Sequence, residues 1–120
     1  MVSLMNRTRW RELALAMKAL APRDPWVRYK GLLDDGPEGG FCPMDWEWVA
    51  YGTTTFMEWM EMDVIRRISP GRLLTDVEED LADEIMAVLR KIGVPFTCEG
   101  HVLKVWGYVR VGEQPVFVGH

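Results

Sequence analysis

The sequence is short of most features that announce a chemistry. It has two cysteines, Cys42 and Cys98, and two histidines, His101 and His120. Two cysteines cannot make a disulfide scaffold, and lone thiols fit a reducing compartment. Two small, buried or half-buried apolar side chains are therefore expected in preference to a bridge. A structural zinc site needs about four converging Cys, His or carboxylate ligands, usually as close pairs. Cys98 and His101 form one close pair, and Cys42 and His120 are too scattered to supply a second, so no metal is expected. A Cys–His nucleophile built on either thiol with His101 would need a base or positive charge beside the sulfur. Cys42 instead sits between acidic loops. Gly36, Gly39 and Gly40 lack the following helix and lysine of a phosphate-cradling loop. No catalytic or cofactor-binding residue is assigned.

Long apolar runs are missing too. None approaches the roughly 18 residues that span a bilayer. Residues 1–10 carry no apolar h-region, so no secretory signal is expected and the cytoplasm is the expected location. The most telling absence is of one charge sign. Residues 31–63 hold eight acidic residues and no Lys or Arg, whereas residues 1–30 hold seven basic and two acidic ones. The remaining residues, 64–120, are nearly balanced, with seven basic and eight acidic, and the net charge is −4. Such polarity speaks to partners and steering. It disfavours nucleic acid, which needs a basic, phosphate-neutralising surface.

What is present fits one globular domain over residues 1–120, with 48% hydrophobic and 27% charged residues. Trp10, Leu13, Met17 and Leu20 recur at helical spacing and predict a helix over residues 8–21, closed by Pro22 and Pro25. Residues 26–33 read as a strand and 34–40 as a loop. Residues 45–51 read as a second strand, with Trp46, Trp48 and Ala50 opposite Glu47, Val49 and Tyr51. Residues 53–64 read as a third, with helix an alternative for 56–65 because Met and Glu favour it. Ser69-Pro70-Gly71 marks a turn. The clearest element is a helix over 76–92, with capping-box spacing at Thr75 and Glu78 and an apolar stripe through Val77, Leu81, Ile85, Val88, Leu89 and Ile92. Gly93 ends it. Residues 94–98 and 101–110 predict a hairpin about Glu99-Gly100, with Val102, Lys104, Trp106 and Tyr108 on one face. Residues 111–120 read as an extension or an edge strand, since Pro115 confines pairing to an edge. The expected fold is α+β, a mostly antiparallel sheet packed on two helices in the order α-β-β-β-α-β-β.

Several segments together resemble a family of short, uncharacterised bacterial proteins. They are Trp10-Arg11-Glu12-Leu13 with Ala16-Met17, Glu58-Trp59 with Glu61, Val94-Pro95-Phe96, and Val105-Trp106-Gly107-Tyr108. The resemblance implies a solitary cytoplasmic domain and brings no established activity. Some similar small acidic bacterial proteins neutralise toxins.

Three functional readings compete. Glu61 and Asp63 on a strand would share a face about 7 Å apart, near enough for acid–base chemistry with Glu58, or with Asp45 and Glu47 in a second cluster. Acids at this spacing also arise on any solvated acidic strand. The helix acids Glu78, Glu79, Asp80, Asp83 and Glu84 serve the macrodipole and solubility. The six tryptophans carry more weight, because Trp and Tyr dominate interface hot spots and acids around them steer a basic partner. The leading expectation is a non-enzymatic protein-binding domain. It is an immunity-type protein that occludes a basic toxin through Asp45, Trp46, Glu47, Trp48, Glu58 and Glu61. A ligand-binding domain with a pocket holding Trp46, Trp59 or Trp106 is the alternative, and a small acid-using enzyme the third. A homodimer through residues 111–118 and exposed tryptophans competes with a foreign partner.

Overall fold

Asparagine at position 6 starts the first helix. In the computed structural model, which describes residues 1–37, 39–52, 55–68 and 77–118, Asn6 Oδ1 accepts from Arg9 N at 2.9 Å. It thereby satisfies one of the amides left over at a helix start. Helix α1, Arg7–Ala19, follows a short strand β1, Val2–Ser3. It buries Trp10, Leu13, Ala14 and Met17, the stripe that the three-and-four spacing predicts. After Pro22 and Pro25 the chain enters strand β2, Trp26–Gly31.

The predicted strand over 45–51 is instead a short helix, α2, Trp46–Tyr51. Asp45 Oδ1 accepts from Glu47 N at 3.1 Å and Trp48 N at 3.3 Å, capping the start of this helix. Trp46, Val49 and Ala50 are the buried residues, a helical spacing, and the helix packs along α1. Over six residues an alternating pattern and a helical one share too many positions to be told apart.

Strand β3, Met57–Asp63, is the expected third strand without its threonine lead; Thr53 and Thr54 lie outside the described residues. β3 then turns into β4, Ile65–Ile68, which pairs antiparallel with β5, Val77–Asp80. The predicted helix therefore begins later, as α3, Ala82–Ile92. Leu81 stands at the N-cap without a side-chain cap bond, and before it Asp80 Oδ1 accepts from Ala82 N at 2.9 Å; Thr75 of the anticipated cap lies outside the described residues, as does the turn at 69–71. The basic pair 66–67 stands in register with the acidic pair 79–78, a long-range pairing that local helix preference cannot foresee. α3 buries Ile85 and Leu89 and ends on Gly93 with φ of 83°. There the Arg9 guanidinium of α1 donates to Ile92 O, tying the two helices together.

The hairpin forms as β6, Phe96–Glu99, and β7, Val102–Trp106, followed by β8, Tyr108–Val109, which pairs with β1. The main sheet runs β2-β3-β7-β6, antiparallel throughout. The α+β class and the antiparallel sheet are as expected. The element order is longer, with α2 replacing a strand and β4–β5 preceding α3. Residues 111–118 form no strand; Val118 N donates to Phe96 O at 2.9 Å and its side chain packs on the core. The opposite edge of the sheet is occupied as well, where Val27 and Cys42 exchange two backbone bonds of 2.8 and 3.0 Å.

Alternation gives the sheet two unlike faces. Val27, Met60, Met62, Phe96, Leu103 and Val105 point inward and join Trp10, Leu13, Met17, Ile85 and Leu89 in one buried cluster. Trp26, Arg28, Lys30, Trp59, Glu61, Asp63, Lys104 and Trp106 take the alternate positions and form the outer face.

Candidate functional site

The six residues expected to form one contact surface are not brought together. Trp46 is 5% exposed and its Nε1 donates to Asp24 at 2.9 Å, so it is a core residue with a satisfied polar tip. Glu58 is 3% exposed. It sits where β3 bulges, since Lys30 stands opposite Trp59 and Gly31 opposite Met57. Its carboxylate lies 2.6 Å from Lys30 Nζ and accepts from Arg110 Nε. Burial pushes this carboxyl up, but the hydrogen bonds and charges of Lys30 and Arg110 outweigh burial and hold it below the ordinary carboxylate value. Glu61 pairs with Arg28 Nε at 2.8 Å on the outer face. These two acids are internal counter-charges, because cations from β2 and from the chain after β8 stand against β3. A charge count along the chain cannot see pairing between strands.

The same arrangement bears on the carboxylate chemistry considered above. Glu61 is held by Arg28, and Asp63 Oδ1 accepts from Ile65 N at 3.0 Å. Among the described residues no group of three or more His, Cys, Asp or Glu side chains could hold a metal. Cys42 and Cys98 are free and exposed, which corrects their expected burial: one lies on the bridge at the sheet edge, the other at the hairpin end.

Trp59 and Trp106 lie on the outer face in register with each other. Lys104 Nζ stands 4.5 Å from the Trp59 ring centroid and 4.3 Å from that of Trp106, and Trp106 Nε1 donates to Thr97 Oγ1 at 3.0 Å. This cation–π stack serves the sheet itself.

Asp45, Glu47 and Trp48 do lie together, at the start of α2. Trp48 is 37% exposed and belongs to a triangle of rings, with centroids 5.6 Å from Tyr29 and 6.2 Å from Phe56. Tyr51, one turn along α2, is exposed, and so is Leu33. Leu32 N donates to Phe56 O at 2.8 Å, which brings the loop after β2 against Phe56. Gly31 permits that closeness: a Cβ there would stand 2.7 Å from Asp34 Oδ2 and 2.9 Å from the Phe56 ring. Asp34 Oδ2 accepts from Gly31 N at 3.1 Å, fixing one carboxylate beside the rings. A cleft of about 450 Å³ opens next to Trp48, lined among others by Tyr29, Asp34, Pro37, Cys42 and Met44. Glu47 is paired with exposed Lys18 at 2.6 Å, a contact of little energetic weight in water.

The patch is thus aromatic at its centre, with Asp34 beside the cleft and Asp45 at the start of α2. Sequence reasoning missed Tyr29, Leu33 and Phe56 as members. The one local signal was Gly31 followed by Leu32 and Leu33 next to an acidic loop.

No helix among the described residues is long and apolar enough to cross a membrane. No curated protein and no solved structure matches the chain. The model of DUF6678, a family of unknown function, matches residues 1–112, which carry the helices, the sheet and the aromatic patch, and the chain belongs to that family.

Proposed function

We propose that this chain is a non-enzymatic, cytoplasmic protein-binding domain that docks a basic partner on the patch around Trp48, and that the partner is a toxin which the domain occludes. The observation that carries the reading is the ring triangle of Tyr29, Trp48 and Phe56, in which Trp48 and Phe56 are each 37% exposed, while Tyr51 is exposed farther along α2 with the Arg11 guanidinium 5.9 Å from its ring centroid. Large rings on a rigid base supply contact area at low entropic cost. Asp34, Asp35 and Asp45 add a negative field that attracts cations and speeds encounter. The cleft beside Trp48 is also lined by Arg28, whose charge is matched by Glu61, and it suits the stem of a lysine or arginine whose apolar carbons would cover Tyr29 and Met44 while its charge reaches Asp34.

The test starts from the products of neighbouring genes in the native host, used as bait, with affinity then measured by calorimetry on the purified pair. Trp48→Ala is expected to weaken binding by about 30-fold or more, the effect of a hot-spot truncation of about 2 kcal/mol. Asp34→Asn with Asp35→Asn should mainly slow association and reduce its salt dependence. A partner that binds both variants as tightly as the parent chain would refute the assignment. Light scattering that finds a stable homodimer broken by Trp48→Ala would reassign the patch to self-association.

A further inference from the structure

A second cavity, of about 440 Å³, lies at the far end of the outer sheet face, where β3 turns into β4. Its volume is at the small end of the roughly 300–1,000 Å³ typical of ligand pockets. Trp26 forms one wall, and Ile65 and Val102 supply apolar surface. The corner is braced by backbone bonds from Val64 N to His101 O at 3.0 Å and from Leu81 N to Val64 O at 2.8 Å. The cavity therefore sits on paired strands and a hairpin turn, which is firmer ground than a loop.

Both signs of charge line this small space. Arg66 Nη1 donates to Asp24 O at 2.6 Å, and its guanidinium carbon stands 5.9 Å from the centroid of the Trp26 ring. Asp63 lies in register between Trp26 and Val102, with Oδ1 fixed by the Ile65 amide. His101 adds an imidazole and Glu78 a further carboxylate. A purely anionic ligand would meet two carboxylates here, and a purely cationic one would meet the guanidinium. A molecule carrying both charges next to an apolar body complements Asp63, Arg66 and the apolar wall together.

We propose that this cavity binds a free α-amino acid with an apolar or aromatic side chain. The ligand's ammonium pairs with Asp63, its carboxylate with Arg66 and His101, and its side chain lies against Trp26, Ile65 and Val102. The three contacts define an address that neither charge alone can fill.

The test is calorimetry on the full chain with L-phenylalanine, phenethylamine and 3-phenylpropionate as probes. Phenylalanine should bind with a Kd below about 1 mM, a reasonable affinity for so few atoms. Phenethylamine lacks the carboxylate and 3-phenylpropionate lacks the ammonium. Each should bind at least about tenfold more weakly, the worth of one charge-assisted hydrogen bond. Asp63→Asn keeps an oxygen for the Ile65 amide, so the corner should stay folded, as circular dichroism and the melting temperature would verify. This variant should lose about tenfold or more for phenylalanine while binding 3-phenylpropionate no more weakly than the parent. Trp26→Leu should weaken phenylalanine more than leucine, because the ring stacking is lost. Absence of binding by both phenylalanine and leucine at about 10 mM would overturn the proposal, given that ceiling on Kd. Equal affinity for the three probes, or indifference of phenylalanine to Asp63→Asn, would overturn it as well.

Discussion

Replacing Glu58 with Gln tests whether the ion pairs at the β3 bulge contribute to the stability of the outer sheet. The carboxylate is 3% exposed, and the Lys30 side chain that meets it at 2.6 Å is 14% exposed. Removing one member of a fully buried pair costs about 3–5 kcal/mol, because the other charge is left without compensation. Lys30 keeps some water and also donates to Gly31 O at 3.0 Å, which reduces that figure. The Arg110 side chain is 46% exposed, so its share is small, about 0–1 kcal/mol. Together these place the expected cost of Glu58→Gln at about 2–3 kcal/mol, a large part of the roughly 5–15 kcal/mol that stabilises a domain. Glutamine preserves the shape and an acceptor, so cavity formation does not enter. Urea unfolding followed by tryptophan fluorescence at neutral pH should show a lower midpoint at an unchanged slope. Combining Glu58→Gln with Lys30→Met removes both charges, and the double variant should be more stable than the sum of the single losses allows. The pH dependence has a definite sign. The folded-state value of Glu58 is depressed, so the unfolded chain binds the proton more tightly. The contribution is complete above the unfolded carboxylate value of about 4.3 and is lost as pH falls through the folded-state value. Glu58→Gln should flatten that part of the stability curve. A cost below about 0.5 kcal/mol, the level of an ordinary surface substitution, or strictly additive single losses, would refute the reasoning.

Three further outcomes follow from the packing. A Cβ at Gly107 would stand 2.2 Å from Met57 O, so Gly107→Ala must push β3 and β7 apart. It should cost about 2–4 kcal/mol by thermal or urea unfolding, in the range of a severe core disruption. Asp45→Ala should lose about 1 kcal/mol through the missing cap of α2, whereas Asp45→Asn should be nearly neutral for stability; equal losses in both would deny Asp45 its capping role. Leu89→Ala, at a wholly buried position of α3, should cost about 2–5 kcal/mol, with the melting temperature as the readout.

Some of this architecture was legible locally. Helices α1 and α3 follow from apolar spacing sustained over three turns, and the β6–β7 hairpin from branched residues flanking Glu99-Gly100. These signals involve neighbours in sequence, where backbone preference and burial agree. The misreadings arose where the two diverge. Residues 45–51 alternate like a strand, yet the Asp45 cap and the surface of α1 make them helical. Residues 77–80 continue the helical stripe of α3, yet pairing with 65–68 draws them into a ladder. The candidate patch was half legible. Asp45, Glu47 and Trp48 are adjacent in sequence, whereas Tyr29, Leu33 and Phe56 join them only through the crimp at Gly31.

By itself the sequence determined the α+β class, the two long helical stripes, the hairpin and the acid-only span of residues 31–63, because each depends on composition or short-range periodicity. Tertiary structure alone decided which of those acids meet a cation. Glu58 and Glu61 are matched by cations on a neighbouring strand and on the chain after β8, and Glu47 by one on α1. Among the described residues, Asp34 and Asp63 are instead held by the backbone amides of Gly31 and Ile65, and Asp45 caps α2 beside Trp48. Tertiary structure also divided the tryptophans, sending Trp46 into the core and stacking Trp59 and Trp106 around Lys104. Trp48 was left half exposed. The physical reason is common to both: charge pairing and ring burial are properties of distance in space, and the strands that supply the partners are far apart along the chain.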